Sequence, residues 1–416
     1  MRGLDLAALV RPILDRRLIR NADEPIAVAL SGGGDSLALA LLAAEWAKDA
    51  DRPLLILTVD HRLRRESAAW TEACRATAQR LGAAFQALSW DQPKPATGLA
   101  AAARAARHRL LADAARRAGA RVILMGHTGS DVAEAAAMRQ AGSTTPDPKD
   151  WGPSPAWPQG HGLFLLRPLL GVSRAEVRGW LQARGETWID DPANADPKSA
   201  RVQARAATAD GDLPPIPRAG ANPLGDACRF DAAGGVRLAR SALRKAPPDD
   251  AVAFIGMAAV CAGGGDKRSA GERLQRLAHL LLGTETVTAS LAGARIEADD
   301  EHIYFVREAG EARRGGLTSL YLTPDQAVVW DGRFEFTATR PGLYVERLEG
   351  RSRKLDADVK RAVMALPASA RPGLPTIVED GRVACPTLEP VAGVSVTALV
   401  HGRLVAACGL IEREPA

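Results

Sequence analysis

Apolar positions in the first half of the chain follow two alternating patterns. Short continuous apolar runs, typical of strands buried in a sheet, alternate with stretches whose apolar residues recur about every three to four positions, as in helices. The runs predicted as strands are 26–30, 54–59, 84–90, 121–125 and 163–166. The stretches predicted as helices are 4–18, 37–47, 67–81, 99–118, 131–140 and 173–184. This order predicts an α/β fold with a doubly wound parallel sheet.

The pattern changes in the second half. A loop rich in Pro, Gly and Trp spans 143–162, and polar, Pro-rich sequence over 205–214 marks the end of the first domain. Residues 238–282 have mostly helical spacing, whereas short alternating runs dominate from 287 onward, the last of them over 394–400 and 404–410. We therefore expect an α/β domain over 1–209, a helical linker or domain over 210–285 and a smaller β-rich C-terminal module over 286–416.

Composition narrows the class of protein only modestly. The net charge of +5 is compatible with a polyanionic partner such as RNA, and also with many other enzymes. Five scattered cysteines without a CxxC pair argue against a zinc ribbon or an iron–sulfur cluster, and favour reduced thiols in a cytoplasmic protein. The sequence contains neither a signal-like segment nor an apolar run of membrane-spanning length, so we expect no membrane partner.

The candidate chemistry begins directly after the first predicted strand. Glycines there let the backbone turn tightly and bring several N–H groups close to a phosphate, and the positive end of the next helix favours the same anion. Two serines add hydroxyl donors. Asp35 would be unfavourable beside a phosphate unless a divalent cation such as Mg²⁺ lies between them, so we predict it as a metal ligand. The loop consists of Ser31, Gly32, Gly33, Gly34, Asp35 and Ser36.

Two other types of phosphate-binding loop are excluded because the sequence lacks residues that their motifs require. A Walker A loop requires a Lys that is absent here, and the dinucleotide fingerprint requires a glycine where Leu37 stands. A tight turn without a ligand remains the alternative.

With an apolar strand before it, the sequence SGGGDS resembles the PP-loop of ATP-pyrophosphatases, which bind ATP and release pyrophosphate after they adenylate a substrate oxygen. Four further segments resemble the tRNA(Ile)-lysidine synthases within that superfamily, in the family's order over about the first 205 residues. They are VDHRLR at 59–64, GLAAAARAARHR at 98–109, with His108 where the family has Tyr, RPLL at 167–170 and DPANAD at 191–196. The second half resembles the family only loosely.

The chain departs from the family after the fourth predicted strand. Where the family has two adjacent aspartates, Ser130 replaces the first, while Asp131 and Glu134 remain. Val132 and Ala135 replace the family's Gln and Thr. Asp131 and Glu134 also fit an ordinary helix N-terminus, with Asp131 as its cap. The departure puts in doubt any role that needs two adjacent carboxylates.

The resemblance implies a reaction and a set of residues. The family adenylates the C2 oxygen of the wobble cytidine in tRNA(Ile) with a CAU anticodon, and the amine of free L-lysine then displaces AMP. ATP and Mg²⁺ are the implied cofactors. The implied nucleotide-binding residues are the glycine loop, Asp60, His61 and Arg104. The implied catalytic residues are Asp35, Arg107, His127, Asp131 and Glu134, of which either carboxylate or His127 handles the lysine amine.

Several alternatives stay open. Asp60 and His61 also fit a turn that ends a strand, and Arg104 and Arg107 also fit a solvated basic stripe on a helix. The basic stretch 237–245 is either a tRNA contact or a solvated helix. The chain could also be another PP-loop enzyme that modifies tRNA, such as a thiolase, or a tRNA-binding homologue without activity. The oligomeric state is open, a homodimer included.

Overall fold

The structure, a computed structural model, describes residues 4–143, 148–190, 200–208, 213–216, 220–266 and 271–415. The chain forms two units, one of Met1–Ala219 with Ile411–Ala416 and one of Gly220–Leu410. The chain therefore leaves the first unit, builds the second and then returns to the first. Among the helices in the described ranges, none is long and apolar enough to cross a membrane.

The first unit has the alternating order of helices and strands expected from its sequence. Its strands are β1 (Ile26–Ala29), β2 (Leu54–Asp60), β3 (Ala84–Ser89), β4 (Val122–Met125), β5 (Trp151–Pro153) and β6 (Phe164–Leu166). Its helices are α1 (Leu6–Arg17), α2 (Gly34–Asp49), α3 (Ser67–Arg80), α4 (Leu99–Arg117), α5 (Gly129–Gln140), α6 (Arg174–Ala183) and α7 (Ala200–Ala207). Each predicted strand and helix before residue 184 is present, with ends shifted by a few residues.

These strands form one six-stranded sheet in the order β3-β2-β1-β4-β6-β5. The first five run parallel, which confirms the predicted doubly wound α/β fold. The antiparallel edge strand β5 lies inside the segment predicted as a loop, and pairs with β6. The strand order reverses beside β1, since β2 lies on one side of it and β4 on the other. The carboxyl ends of β1 and β4 therefore border a crevice, and the glycine loop begins there.

Within its described residues, the second unit contains three antiparallel sheets and five α-helices. Its strands are β7 (Arg229–Phe230), β8 (Val236–Ala239), β9 (Val287–Leu291), β10 (Ala294–Ala298), β11 (His302–Arg307), β12 (Leu320–Tyr321), β13 (Val328–Trp330), β14 (Phe334–Ala338), β15 (Tyr344–Arg347), β16 (Pro375–Glu379), β17 (Arg382–Ala384) and β18 (Val394–Ala398). Its helices are α8 (Arg240–Lys245), α9 (Pro248–Ala262), α10 (Glu272–Leu282), α11 (Ala357–Ala365) and α12 (Val400–Ala407). The sheet orders are β7-β8-β11-β10-β9, β12-β15-β16-β17 and β13-β14-β18.

One core joins segments that the sequence pattern separates. Phe254 of α9 packs edge-on against Phe305 of β11 at a ring-centroid distance of 6.1 Å, within a single cluster that also includes residues of α10 and α12. The boundary expected at 285 therefore lies inside this unit. The prediction of a strand-like run over 404–410 is wrong, because Val400, Leu404 and Cys408 recur at helical spacing and are buried in that core.

The basic stretch 237–245 divides into residues with different environments. Arg240 is fully buried, and its guanidinium donates to the carbonyls of Leu280, Leu281, Glu285 and Asp299. It thereby satisfies carbonyl groups at the end of α10. Its burial is incompatible with the hypothesis that Arg240 contacts tRNA, whereas Arg237 is exposed.

The segment after residue 410 is bound to the first unit by a buried ion pair. Both oxygens of Glu414 accept from Arg52, each at 2.6 Å, and the two side chains are 2% and 1% exposed. Glu414 also accepts from the N–H of Ile19, and Arg52 donates to the carbonyls of Ile19 and Glu24. The cost of removing both charges from water is offset because each charged group makes several hydrogen bonds.

We expect Glu414→Ala to lower the free energy of unfolding of the first unit by about 3–5 kcal/mol, because it leaves the Arg52 charge buried and unpaired. Urea denaturation followed by tryptophan fluorescence measures this unit, since every tryptophan except Trp330 lies in it. Asp113→Ala is the control, because its ion pair with Arg117 is exposed and should contribute little. Equal unfolding midpoints for the two variants would contradict this expectation.

Candidate active site

The glycine loop connects β1 to α2 in a shape held by its own side chains. The hydroxyl of Ser36 accepts from the N–H of Ser31 at 3.1 Å and donates to the carbonyl of Gly33 at 2.9 Å. Gly32 has a φ of +84°, and a Cβ there would lie 2.6 Å from Ile189 Cδ1. The first N–H groups of α2 have no partner within the helix. The loop therefore presents backbone donors at the positive end of a helix, as an anion site requires.

A cavity of about 500 Å³ opens in front of this loop. It contains most of the residues predicted for the site, which come from strands far apart in the sequence. They are Ser31, Gly33, Gly34, Asp35, Ser36, Asp60, His61, Arg107, His127 and Asp131. The predicted residues Gly32, Arg104 and Glu134 do not line the cavity.

Asp35 lies in the first turn of α2 and is largely buried. Its Oδ2 accepts from Arg174 Nε at 3.1 Å. Burial raises the pKa of Asp35, and Arg174 opposes that rise. Asp35 is the carboxylate that the glycine loop itself contributes to the cavity, which Asp60, Asp131 and Asp190 also line. The position and the oxygen donor fit a hard divalent cation that would take its remaining ligands from phosphate.

Glu134 is 1% exposed and accepts from three arginines. The distances are 2.8 Å from Arg174, 2.9 Å from Arg201 and 2.7 Å from Arg205. Burial alone would raise the pKa of Glu134, but these hydrogen bonds lower it below its ordinary value. Glu134 is therefore a buried anion that holds a cluster of arginines together.

The two oxygens of Asp131 have different partners. Its Oδ2 accepts from the backbone N–H of Thr128 at 2.8 Å, which is one half of a capping box at the start of α5. Its Oδ1 accepts from Arg174 and Arg201. The N-cap residue of α5 is Thr128 rather than Asp131, and Asp131 takes part in the capping box from the third position of the helix. The Asp131 side chain therefore both caps the helix and binds two arginines.

Ser130, which replaces the family's first aspartate, is also engaged at this point. Its hydroxyl accepts from the backbone N–H of Arg174 at 3.1 Å. The hydroxyl thus ties the start of α6 to the start of α5. In this chain, Arg174 and Arg201 both contact Asp131 and Glu134.

His127 is buried and hydrogen-bonded at one ring nitrogen. Arg167 Nε donates to its Nδ1 at 3.2 Å. Burial, followed by the charge of Arg167, holds the pKa of His127 well below its ordinary value. A neutral imidazole that accepts at Nδ1 carries its proton on Nε2. His127 is therefore suited to donate a hydrogen bond into the cavity.

Arg104 and Arg107 do not form a solvated stripe. Burial and the neighbouring arginines lower the pKa of Arg107 to about 10, and burial, followed by Arg201, lowers that of Arg104. Nε of Arg107 is buried without a hydrogen-bond partner among the described residues. Arg167 is similarly affected, with its pKa lowered to about 10 mainly by burial. Closely spaced guanidinium groups that repel each other indicate a site for an anion.

Asp60 and His61 form the opposite wall of the cavity. Asp60 Oδ1 accepts from the N–H of Arg62 at 2.7 Å, so this aspartate also shapes a turn. His61 lies edge-on to Trp90 at 5.9 Å, and its Nδ1 is buried without a partner in the described part of the chain. Burial, with Arg107 contributing, lowers the pKa of His61.

Sequence reasoning missed four arginines of the site. Arg167 appears in the sequence analysis only within the RPLL motif, and Arg174 only within the helix predicted over 173–184. Arg205 appears only at the predicted end of the first domain, and Arg201 is not mentioned. One signal was available, since Arg201 and Arg205 are four residues apart and therefore share one face of α7. The motif at 191–196 lies outside the described residues.

Comparisons with known proteins agree with this geometry. Residues 7–209 match a family model described as a PP-loop domain. A tRNA(Ile)-lysidine synthase of Caulobacter vibrioides is 46% identical over 412 residues, which cover 97% of this chain and 98% of the relative. One of Brucella ovis is 39% identical and covers 75% of this chain and 73% of the relative.

Solved structures to which this chain is similar are more distant in sequence. The U34-tRNA thiolase NcsA of Methanococcus maripaludis, solved with its [4Fe-4S] cluster, is 18% identical and covers 49% of this chain and 71% of its own, with a TM-score of 0.42. At this distance the likeness carries no argument about function.

We expect Gly126→Ala to weaken ATP binding by about tenfold or more. A Cβ on Gly126 would lie 2.8 Å from Ser36 Cα and 2.9 Å from the carbonyl oxygen of Asp35, so the loop must move, and such overpacking costs about 1–3 kcal/mol. Isothermal titration with ATP measures the effect. Gly179→Ala is the control, because the added Cβ in helix α6 meets no atom within 4 Å. Wild-type ATP affinity in Gly126→Ala would contradict the expected clash between this Cβ and the backbone of Asp35 and Ser36.

Proposed function

Because the chain belongs to the tRNA(Ile)-lysidine synthase family, we propose that it uses ATP to join L-lysine to C2 of the wobble cytidine in tRNA(Ile) with a CAU anticodon. The products are lysidine, AMP and pyrophosphate. The observation that carries this proposal is the cavity, which is lined by the glycine loop, Arg107 and Asp131. Nε of Arg107 has no hydrogen-bond partner among the described residues, whereas Asp131 is bound by Arg174 and Arg201. A polyphosphate, a base and an amine each find complementary groups there.

In the first step, the C2 oxygen of the cytidine attacks the α-phosphorus of ATP, and pyrophosphate leaves. The N–H groups of the glycine loop hold the phosphates, and Arg104 and Arg107 neutralise the negative charge that develops on them. His127, with its proton on Nε2, donates a hydrogen bond to an oxygen of the reacting groups. Because one base must leave its stack to reach a recessed cavity, we infer that the tRNA presents this nucleotide flipped out.

Mg²⁺ fits the residues present. Asp35 would hold it together with phosphate oxygens, as hard cations are commonly held by one or two carboxylates and substrate phosphates. When bound, the ion supplies neutralisation of phosphate charge. Arg174 now pairs with Asp35, so we propose that this arginine releases Asp35 when the nucleotide binds and remains on Glu134 and Asp131.

In the second step, the lysine amine, which has lost a proton to solvent, attacks C2 and forms a C–N bond. The C2–O bond breaks, AMP leaves with the electron pair, and the second amine proton passes to solvent, which restores the ring with nitrogen in place of oxygen. We assign Asp131 and Glu134 to holding positive charge. Glu134 is a weak base because the arginines lower its pKa, so it is poorly suited to remove a proton from the amine. His127 is equally unsuited, because Arg167 occupies its acceptor nitrogen.

The rival functions are less compatible with the residues. A cluster-dependent thiolase needs several closely placed thiolates, and all five cysteines here are buried and scattered. Among the described residues, no group of three or more His, Cys, Asp or Glu side chains could hold a metal ion. The cavity with its glycine loop argues against a tRNA-binding homologue without activity. Because Ser130 replaces an aspartate of the family, the experiment below also tests for such a homologue.

We further propose that the protein acts in the cytoplasm and that its second unit contributes to tRNA binding. The five reduced thiols suit a reducing compartment. A homodimer is compatible with this mechanism.

Purified protein is expected to incorporate labelled lysine into unmodified tRNA(Ile) with a CAU anticodon and to release one pyrophosphate for each lysine. The same tRNA with uridine at the wobble position is the control and should accept none, because it has no cytidine to modify. Pyrophosphate release without lysine incorporation would indicate another PP-loop reaction. Binding of tRNA without pyrophosphate release would indicate the inactive homologue.

Asp35→Ala is expected to reduce pyrophosphate release by at least about 100-fold, because a charge-stabilising group next to the phosphates is lost. The Mg²⁺ concentration needed for half-maximal ATP binding should rise as well. Asp49→Ala, at the other end of the same helix, is the matched control. Unchanged turnover and an unchanged Mg²⁺ requirement in Asp35→Ala would remove the metal role.

A further inference from the structure

The sheet β7-β8-β11-β10-β9 of the second unit has one apolar face and one mixed face, on which Tyr304 and Val306 belong to a second apolar cluster. Leu238, Ile296 and Phe305 point from one face into the core with the helices. On the other face, the strand register places Arg237 opposite Tyr304 and Tyr304 opposite Glu297. Glu297 in turn lies opposite Thr288. These four residues, which we call the polar row, therefore lie side by side across four strands.

The polar row forms the floor of a cleft of about 330 Å³. Pro367 contributes to one wall, and the nearby Ser369 donates to Glu297 Oε2 at 2.8 Å. His302 and Asp299 lie at the opposite rim. The volume is in the range of small-ligand sites.

Arg237 differs from its neighbours in the basic stretch, because its guanidinium does not hydrogen-bond to other parts of the described chain. The side chain is exposed, and its guanidinium carbon lies 5.5 Å from the ring centroid of Tyr304. It makes no hydrogen bond or ion pair with another residue of the described part of the chain. Arg240 and Arg244, in contrast, donate to backbone carbonyls. The ring beneath Arg237 is itself fixed, because the Tyr304 hydroxyl donates to Asp231 at 2.5 Å.

The acidic groups of the cleft are already engaged. Glu297 pairs with Arg295 at 2.7 Å, on the same strand. Asp299 accepts from the N–H groups of Glu301 and His302, which lowers its pKa, and thus closes a turn. The unpaired charge of the cleft is therefore the guanidinium of Arg237. A planar guanidinium stacked on an aromatic ring, with its donors free, is well suited to bind a phosphate.

We propose that this cleft binds one nucleotide of the tRNA substrate, with its phosphate on Arg237 and its ribose or base against the rest of the polar row. Thr288 offers a hydroxyl that can bind a ribose 2′-hydroxyl or a base edge. The proposal rests on the proposed function, which supplies the RNA. It adds a contact site outside the cavity that contains the glycine loop.

The test compares tRNA binding by wild type, Arg237→Ala, Arg237→Lys and Arg276→Ala over a series of KCl concentrations. Arg276 is an exposed arginine on α10, a helix in the core on the apolar side of the same sheet, and serves as the matched control. Thermal melting establishes that each variant is folded. We expect Arg237→Ala to weaken binding several-fold and to lower the slope of log Kd against log [KCl] by about one.

Arg237→Lys should keep the salt slope and lose part of the affinity, because a lysine retains the charge without the planar donors. Wild-type affinity and wild-type slope in Arg237→Ala would overturn the inference. So would weaker binding with an unchanged slope, since that result indicates a structural effect rather than a lost phosphate contact. If wild type itself binds no tRNA, the proposed function fails, and that outcome is separate from failure at Arg237.

Discussion

The arrangement of the first unit depends on the buried anion Glu134. Removing a carboxylate from water is unfavourable unless it is paired and hydrogen-bonded, and three arginines from two helices supply those partners. Because Arg174 begins α6 while Arg201 and Arg205 belong to α7, one carboxylate on α5 fixes two further helices. The same Arg174 reaches Asp35 at the glycine loop, so the phosphate-binding loop and the acidic group behind it are joined through one side chain.

This connection divides the cavity into two electrostatic parts. On one side, Arg104, Arg107 and Arg167 lie close together with their charges only weakly compensated, which favours an anion. On the other side, Asp131 and Glu134 are bound by Arg174, Arg201 and Arg205, so their negative charges are already compensated. A triphosphate would meet opposite charge on the first side.

The sequence was sufficient to predict the parallel sheet and the glycine loop, because both depend on local patterns: continuous apolar runs, and glycines between a strand and a helix. It was insufficient for the arginine cluster. Arg167, Arg174 and Arg201 are distant in sequence and meet only through tertiary packing, and no local pattern distinguishes them from surface arginines. The same reason explains Arg240, which is basic in sequence and yet buried among carbonyl groups. Helix α12 was missed because the residues at 404–408 form a short continuous apolar run, while burial follows the helical spacing of Val400 and Leu404.

The return of the chain to the first unit has a consequence for biosynthesis. Arg52 is synthesised early, between the first two strands, whereas its partner Glu414 is separated from it by the whole second unit. Domains generally fold as units while translation proceeds from the N-terminus. During translation, the Arg52 guanidinium of the first unit therefore remains without its carboxylate partner until the residues around Glu414 leave the ribosome. A chain interrupted within the second unit would retain this defect and would be recognisable to proteases as incomplete.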